Sequence, residues 1–314
     1  MVKYYGKQYF SKGSIKLENN DQLKKYLAHN KQVRVYLLDA TYMVSEIRKL
    51  HHLSNVVSAG LGRTLMMTTM MSDMLKEKGN RITVQIKGDG PIGSIVICGN
   101  YSLQMKGYVT NPNIELPLNE FGKLDVAKAV GKGYLNVIKD VGLKDPYIGA
   151  TKLISGEIAE DFAYYFATSE QTPCVVSLGV NISKENQVQK AFGYLIEPLP
   201  DCEENIIELL ETINTNITSV TNLALDLNNM DDIAKTITGD NYLECIDERK
   251  PQLLCDCNEE RIERTIIALG KKEATEIAKE NKGVLEISCN FCHKAYQYSI
   301  EKIEQLFENE KKEG

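Results

Sequence analysis

Cys255-Asp256-Cys257 and Cys289-Asn290-Phe291-Cys292 are two tight cysteine pairs in the last quarter of the chain, separated by 31 residues. An interval of that length holds a helix and a hairpin, so the pairs can converge on one tetrahedral ion. Thiolates suit Zn2+, and a shell of four thiolates leaves no open position for a substrate. The spacing therefore predicts a structural zinc site at Cys255, Cys257, Cys289 and Cys292. The same thiolates are nucleophiles open to oxidants, and closely spaced pairs can close into disulfides, so the site is also a candidate redox sensor.

The surrounding sequence fits a small metal module. Residues 251–314 number 64, with helical patterns at Glu259 to Leu269 and Glu273 to Glu280. Val284 to Ile287 and Ala295 to Tyr298 flank the second pair like the strands of a zinc knuckle, and Ile300 to Phe307 suggests a closing helix. A unit this small usually needs a metal or disulfides to hold its fold. Structural zinc contributes about 10–16 kcal/mol in finger-like peptides, more than the whole stability of most domains, so metal loss should unfold the module. Cys289 to His293 also spells the C-x-x-C-H haem-attachment pattern, but that reading leaves Cys255 and Cys257 unexplained. A nucleic-acid-binding zinc ribbon should be basic, whereas this module carries 13 acids against 10 bases.

Upstream, residues 199–250 carry twelve acids and three bases. Ile206, Leu210, Ile213, Ile217 and Val220 recur at helical spacing and define one amphipathic face. The intervening Thr212, Asn214, Thr215, Asn216, Thr218 and Ser219 each lose several tenths of a kcal/mol against alanine in a helix. Such a helix needs a docking partner. A second helix is expected over Met230 to Thr236, stopping at Gly239, with Asn241 to Arg249 as a lead into the cysteines. The segment reads either as an ordinary helical connection or as one poised to unfold.

The first two-thirds reads as strands joined by turns with helices grouped apart, an α+β pattern and not an alternating βαβ one. Asp21 to Asn30 is expected to lead into a strand at Gln32 to Leu38, followed by two helices over Thr41 to Lys78 broken near Ser54 to Gly62. The second helix carries five of the nine methionines, at 66, 67, 70, 71 and 74, which fill a core or form an adaptable apolar surface. Strands follow at Arg81 to Ile86, Gly93 to Cys98, Gln104 to Thr110 and Tyr134 to Lys139. A helix is expected near Ser155 to Ser169, and strands at Cys174 to Val180 and Lys190 to Ile196 close the region. Gly88, Gly90 and Gly93 match G-x-G-x-x-G, but β-branched residues follow where a dinucleotide site needs a helix.

With 43% hydrophobic and 25% charged residues over 314, the chain suits about two domains. A net charge of −6 offers no general attraction to nucleic acid or anionic membranes. Residues 1–20 read as a polar extension without a signal-peptide core, and no run approaches the roughly 20 apolar residues of a membrane span. A cytoplasmic protein is expected. Cys98, Cys174, Cys202 and Cys245 lack paired spacing and read by default as buried, inert thiols, with Cys245, ten residues before Cys255, the candidate for an accidental redox participant. Asp89, Asp125, Glu157, Glu160 and Asp161 could be imagined as acid/base pairs of an enzyme regulated by its tail, but capping and turn roles suit them better.

Several stretches together resemble the Hsp33 family of redox-regulated holdase chaperones. They are Gln85 to Pro91, Gly122 to Asp125, Ser155 to Asp161, Ser169 to Pro173 and the C-x-C with C-x-x-C ending. The resemblance implies an α+β domain at 21–198, a metastable linker at 199–250 and a zinc domain at 251–314. It implies a non-enzymatic protein, inactive when reduced and zinc-bound. Oxidation then forms disulfides Cys255 with Cys257 and Cys289 with Cys292, releases zinc and unfolds the linker. The active form is expected to be a homodimer that binds unfolded clients without ATP. Against this stand two other readings, a zinc-regulated enzyme and an interaction scaffold with a fixed partner.

Overall fold

The computed structural model describes residues 19–313, so most of the segment read as an N-terminal extension lies outside the described residues. The chain begins with strands β1 (Gln22–Ala28) and β2 (Val33–Asp39), then helices α1 (Thr41–His51) and α2 (Asn55–Asp73). Strands β3 (Arg81–Gly88), β4 (Ser94–Asn100) and β5 (Gln104–Val109) follow, then the short helix α3 (Val126–Val130). Next come β6 (Gly133–Asp140), β7 (Tyr147–Lys152), helix α4 (Ala159–Tyr165) with a π-helical turn, β8 (Val175–Ile182) and β9 (Val188–Pro198). Helices α5 (Glu204–Thr215), α6 (Val220–Leu227) and α7 (Met230–Thr238) lead into β10 (Glu244–Arg249) and β11 (Gln252–Leu253). The C-terminal part holds α8 (Glu259–Leu269), α9 (Lys271–Glu280), β12 (Val284–Ser288), β13 (Ala295–Ser299) and α10 (Ile300–Glu313).

The architecture is α+β. One sheet has the order β10-β1-β2-β9-β8 and a second β11-β5-β4-β3-β6-β7. All neighbours are antiparallel except β11 on β5. Helix α2 lies between the sheets. Its residues Leu65, Met66, Met67, Met70 and Met71 are all buried, as expected of a helix that is apolar all round. The methionines are therefore core, and an earlier candidate for an adaptable surface is removed. Polar residues survive there because Thr64, Thr68, Thr69 and Ser72 hydroxyls donate to carbonyls four residues back, at 2.7–2.8 Å.

The central strands of the first sheet, β2 and β9, are buried on both faces, which explains their near-continuous apolar runs. Tyr36 and Leu38 of β2 point into the core around α2, while Val33, Val35 and Leu37 join a second cluster. That second cluster also takes Phe192, Tyr194 and Ile196 from β9 and Ile206, Leu210, Val220, Ala224, Ile233, Ala234 and Ile237 from α5–α7. A third cluster, with Ile266, Leu285, Tyr298 and Ile303, belongs to the C-terminal part.

Three expectations need correction. Gln22–Ala28 is a full strand and not a lead: Lys24 and Lys25 made it look polar, yet Lys24 pairs with Asp231 at 3.1 Å and Lys25 with Asp73 at 2.7 Å. Glu244–Arg249 is likewise a strand despite its charge, because the open edge of β1 supplies its hydrogen-bond partners. Helix α2 begins at Asn55, so the break falls at residues 52–54, where His52 adopts a left-handed φ of 51°. The amphipathic stretch near 206–220 is interrupted as its Asn and Thr content suggested. Helix α5 ends at Thr215, and Ser219 caps α6 by accepting from Asn222 N–H.

Candidate metal centre

Strands β12 and β13 pair antiparallel from Val284 with Ser299 to Ser288 with Ala295, placing Cys289 and Cys292 at the hairpin tip. The tip is a tight knuckle. Cys289 N–H donates to the Lys294 carbonyl at 3.0 Å and His293 N–H to the Cys289 carbonyl at 2.8 Å, with His293 at a left-handed φ of 58°. Cys255 and Cys257 arrive from β11, whose edge position is fixed by Gln252 N–H to Leu103 O at 3.0 Å and Leu254 N–H to Met105 O at 2.8 Å. The two pairs thus meet at the boundary between the C-terminal part and the second sheet.

The four sulfurs lie within 4.8 Å of one another. Cys255 Sγ is 3.7 Å from Cys289 Sγ, and Cys257 Sγ is 3.4 Å from Cys292 Sγ. A tetrahedron with zinc–sulfur bonds of about 2.3 Å has edges of roughly 3.8 Å, so the cluster fits such an ion and the all-sulfur donor set suits it. Tyr296 supports the site by donating its hydroxyl to Cys257 Sγ at 3.2 Å, the kind of outer-shell contact that orients a ligand. All eight cysteines are free thiols.

The thiols do not ionise alike. Burial disfavours the Cys257 thiolate, but hydrogen bonds from Tyr296 and the other three thiols outweigh it and bring the group down to about 7. Burial, with sulfur contacts that favour the protonated form, pushes Cys255 and Cys292 up. Among the unpaired cysteines, burial pushes Cys174 up to about 12, an inert thiol. Cys245 lies exposed on β10, opposite Tyr26, and is not part of the cluster.

The boundary carries contacts that the sequence did not announce. Asp256, between the first two cysteines, accepts from Lys106 and from Arg261 at 2.6 Å. Phe291 sets its ring edge-to-face against Tyr108, centroids 5.1 Å apart. His293 is exposed, and its Nε2 lies 2.9 Å from Nδ1 of the buried His51. Just upstream, Arg249 reaches the buried Asp73 at 2.7 Å and stacks on Tyr101 at 5.1 Å. No spacing rule links these residues; only the fold brings them together.

Four of the five carboxylates considered for acid/base work hold turns, caps or an ion pair, and Glu160 stands in the first turn of α4. Asp125 accepts from Lys128 N–H at 3.0 Å and Asp89 from Lys132 N–H at 2.7 Å. Asp161 is buried and accepts from the backbone of Ile154, Ser155, Gly156 and Ile158. Glu157 pairs with Arg63 at 2.5 Å. The glycine motif is a strand–turn–strand in which a Cβ on Gly88 would meet the Val130 carbonyl at 1.8 Å, so its glycines serve packing. Among the described residues, no helix is long and apolar enough to cross a membrane.

Fold and site together define an α+β protein with a metal-ready four-cysteine knuckle hinged on one sheet edge. The family described as Hsp33 protein matches residues 21–299. The 33 kDa chaperonin of Caldanaerobacter subterraneus is 43% identical over 287 residues, covering 91% of this chain and 97% of that protein. The 33 kDa chaperonin of Clostridioides difficile is 41% identical with 91% and 98% coverage. The crystal structure of the Thermotoga maritima 33 kDa chaperonin superposes with a TM-score of 0.84 at 34% identity, covering 93% of this chain and 99% of that one. This chain belongs to the Hsp33 family of non-enzymatic chaperones, proteins that bind unfolded clients.

Proposed function

We propose that this protein is a redox-regulated, ATP-independent holdase whose client surface is covered while Cys255, Cys257, Cys289 and Cys292 hold Zn2+. The observation that carries the reading is the gathering of the four sulfurs at the point where the chain leaves α5–α7 and β10. Bound there, the ion would tie the two distant pairs together and supply most of the module's stability. Residues 21–198, 199–250 and 251–314 act in this scheme as chaperone domain, metastable linker and switch, with 1–20 as an extension.

Oxidation joins Cys255 with Cys257 and Cys289 with Cys292. Each pair forms one S–S bond and passes two electrons to an oxidant such as a peroxide, and any thiol protons leave to water. The new bridges close only very short loops, and cross-link stabilisation grows with loop length. They cannot replace a tie between pairs 31 residues apart. The module then unfolds, and its docking contacts through Asp256, Phe291 and His293 are lost.

A route from the knuckle to the linker runs along the backbone. Cys255 follows β11, β11 follows β10, and β10 pairs with β1, whose Lys24 and Tyr26 hold Asp231 of α7 at 3.1 and 2.6 Å. Direct docking of the switch on α5–α7 is not needed: its side-chain hydrogen bonds to the rest of the chain go to α1 and β5. Once α5–α7 leave, Tyr26, Val35, Leu37, Phe192, Tyr194 and Ile196 form an exposed apolar face able to hold unfolding clients. The α2 methionines stay buried. A homodimer in the cytoplasm, acting under oxidative stress, completes the reading.

The test combines a zinc assay on reduced protein, thiol mapping after peroxide with mild heat, and suppression of aggregation of an unfolding client. Full zinc release without client protection rejects the reading. Indifference to oxidant, with a fixed partner, favours a scaffold instead.

A further inference from the structure

The second sheet has one face on α2 and one outward. Cross-strand register sets Lys106, Cys98, Thr83, Ile138 and Ile148 in one row across the outward face, from β5 to β7. Tyr108 and Val96 stand opposite each other in the adjacent row. At the β7 end the face is bare: Ile148 is 64% and Tyr134 51% exposed. At the β5 end it is occupied. Phe291, which lies between two metal-ligand positions yet has no donor atom of its own, packs on Tyr108 and sits 4.9 Å beneath the Lys106 ammonium.

We propose that the Tyr108–Lys106 corner is a second client seat, selective for an aromatic side chain of an extended unfolded segment, and that Phe291 fills it in the resting protein. The inference rests on the holdase reading above and adds a surface on the other sheet from the one α5–α7 cover. The chain's own occupant reveals the chemistry. An edge-on tyrosine with a cation over the ring face favours an aromatic guest over an aliphatic one. Release of the switch frees both groups at once, since Lys106 also gives up Asp256.

The dimensions fit such a guest. Four strand intervals of about 4.8 Å separate β5 from β7, so the row spans roughly 19 Å, the length of about six extended residues. A segment with an aromatic residue at one end and an aliphatic one about six positions on can place the first against Tyr108 and the second beside Ile148. Thr83 and Cys98 between them are small enough for the backbone to pass.

The test uses a labelled ten-residue peptide with phenylalanine and isoleucine at that spacing, and a counterpart with alanine for the phenylalanine. Full-length reduced, zinc-loaded Phe291→Ala should bind the phenylalanine peptide at least about tenfold tighter than reduced wild type. Hydrogen exchange should show α5–α7 still closed. Adding Tyr108→Asp should abolish the gain, and the alanine peptide should show none. Equal binding by reduced wild type and Phe291→Ala overturns the proposal. Should Phe291→Ala lose its metal, oxidised protein decides: Tyr108→Asp should weaken the phenylalanine peptide about tenfold, and unchanged binding overturns the seat. In that last case wild type still protects clients, so the holdase reading stands; if oxidised wild type protects none, the holdase reading falls and takes the seat with it.

Discussion

Ile237→Ala weakens the cover on the first sheet without touching the cysteines. Ile237 is 0% exposed, packed in the cluster that eight sheet residues and seven α5–α7 residues build together. Truncating a buried isoleucine to alanine costs about 2–5 kcal/mol. Because the side chain belongs to α7 and not to the core around α2, that cost falls on the docking of α5–α7. At 1.4 kcal/mol per decade, the open population rises by about 30-fold to several thousand-fold. The assay is hydrogen exchange on reduced, zinc-loaded protein, paired with aggregation suppression without peroxide. Amides of residues 204–238 should exchange at least about tenfold faster, those of α2 should keep their protection, and client holding should appear with zinc still bound. Equal acceleration in α2 would show that cover and core are one cooperative unit. Opening of the linker without any gain in client holding would show that the covered sheet face is not the client surface. Either result refutes the reasoning.

Arg249→Ala should loosen β10, because it leaves the buried Asp73 with Lys25 as its remaining ion pair; losing one hydrogen bond to a charged group costs about 1.5–3 kcal/mol, and the readout is faster exchange of residues 244–249 with activation at lower peroxide. The hydroxyl of Tyr26, with help from Lys24, outweighs burial and holds Asp231 below its ordinary range. A carboxylate lowered on folding contributes stability above its unfolded value near 3.9 and loses it as pH falls through the folded value, so linker docking should weaken below about pH 4. Asp231→Asn should dock more weakly at neutral pH and lose that acid dependence, followed by exchange of α7 amides across a pH series. Cys292→Ala should leave an incomplete thiolate shell, and a zinc assay on dialysed reduced protein should find the metal largely lost and residues 255–300 unprotected.

Part of this protein is legible from the chain alone. Paired cysteines at fixed spacing pointed to a cluster that could hold a metal, and the four sulfurs do converge; the C-terminal helices and knuckle strands fall where local periodicity puts them. The α+β class followed from strands joined by turns. What local pattern could not supply is where charged segments go. Gln22–Ala28 and Glu244–Arg249 look like polar connectors, and they are strands because each finds a sheet edge and partners for its charges. The fate of the α2 methionines, a core and not a surface, was decided by a second sheet closing over them. The docking of Phe291 on Tyr108, of Asp256 on Lys106 and of Arg249 on Asp73 joins residues 150 to 183 positions apart. Such contacts depend on how sheets stack, a property of the whole chain that no window of sequence contains.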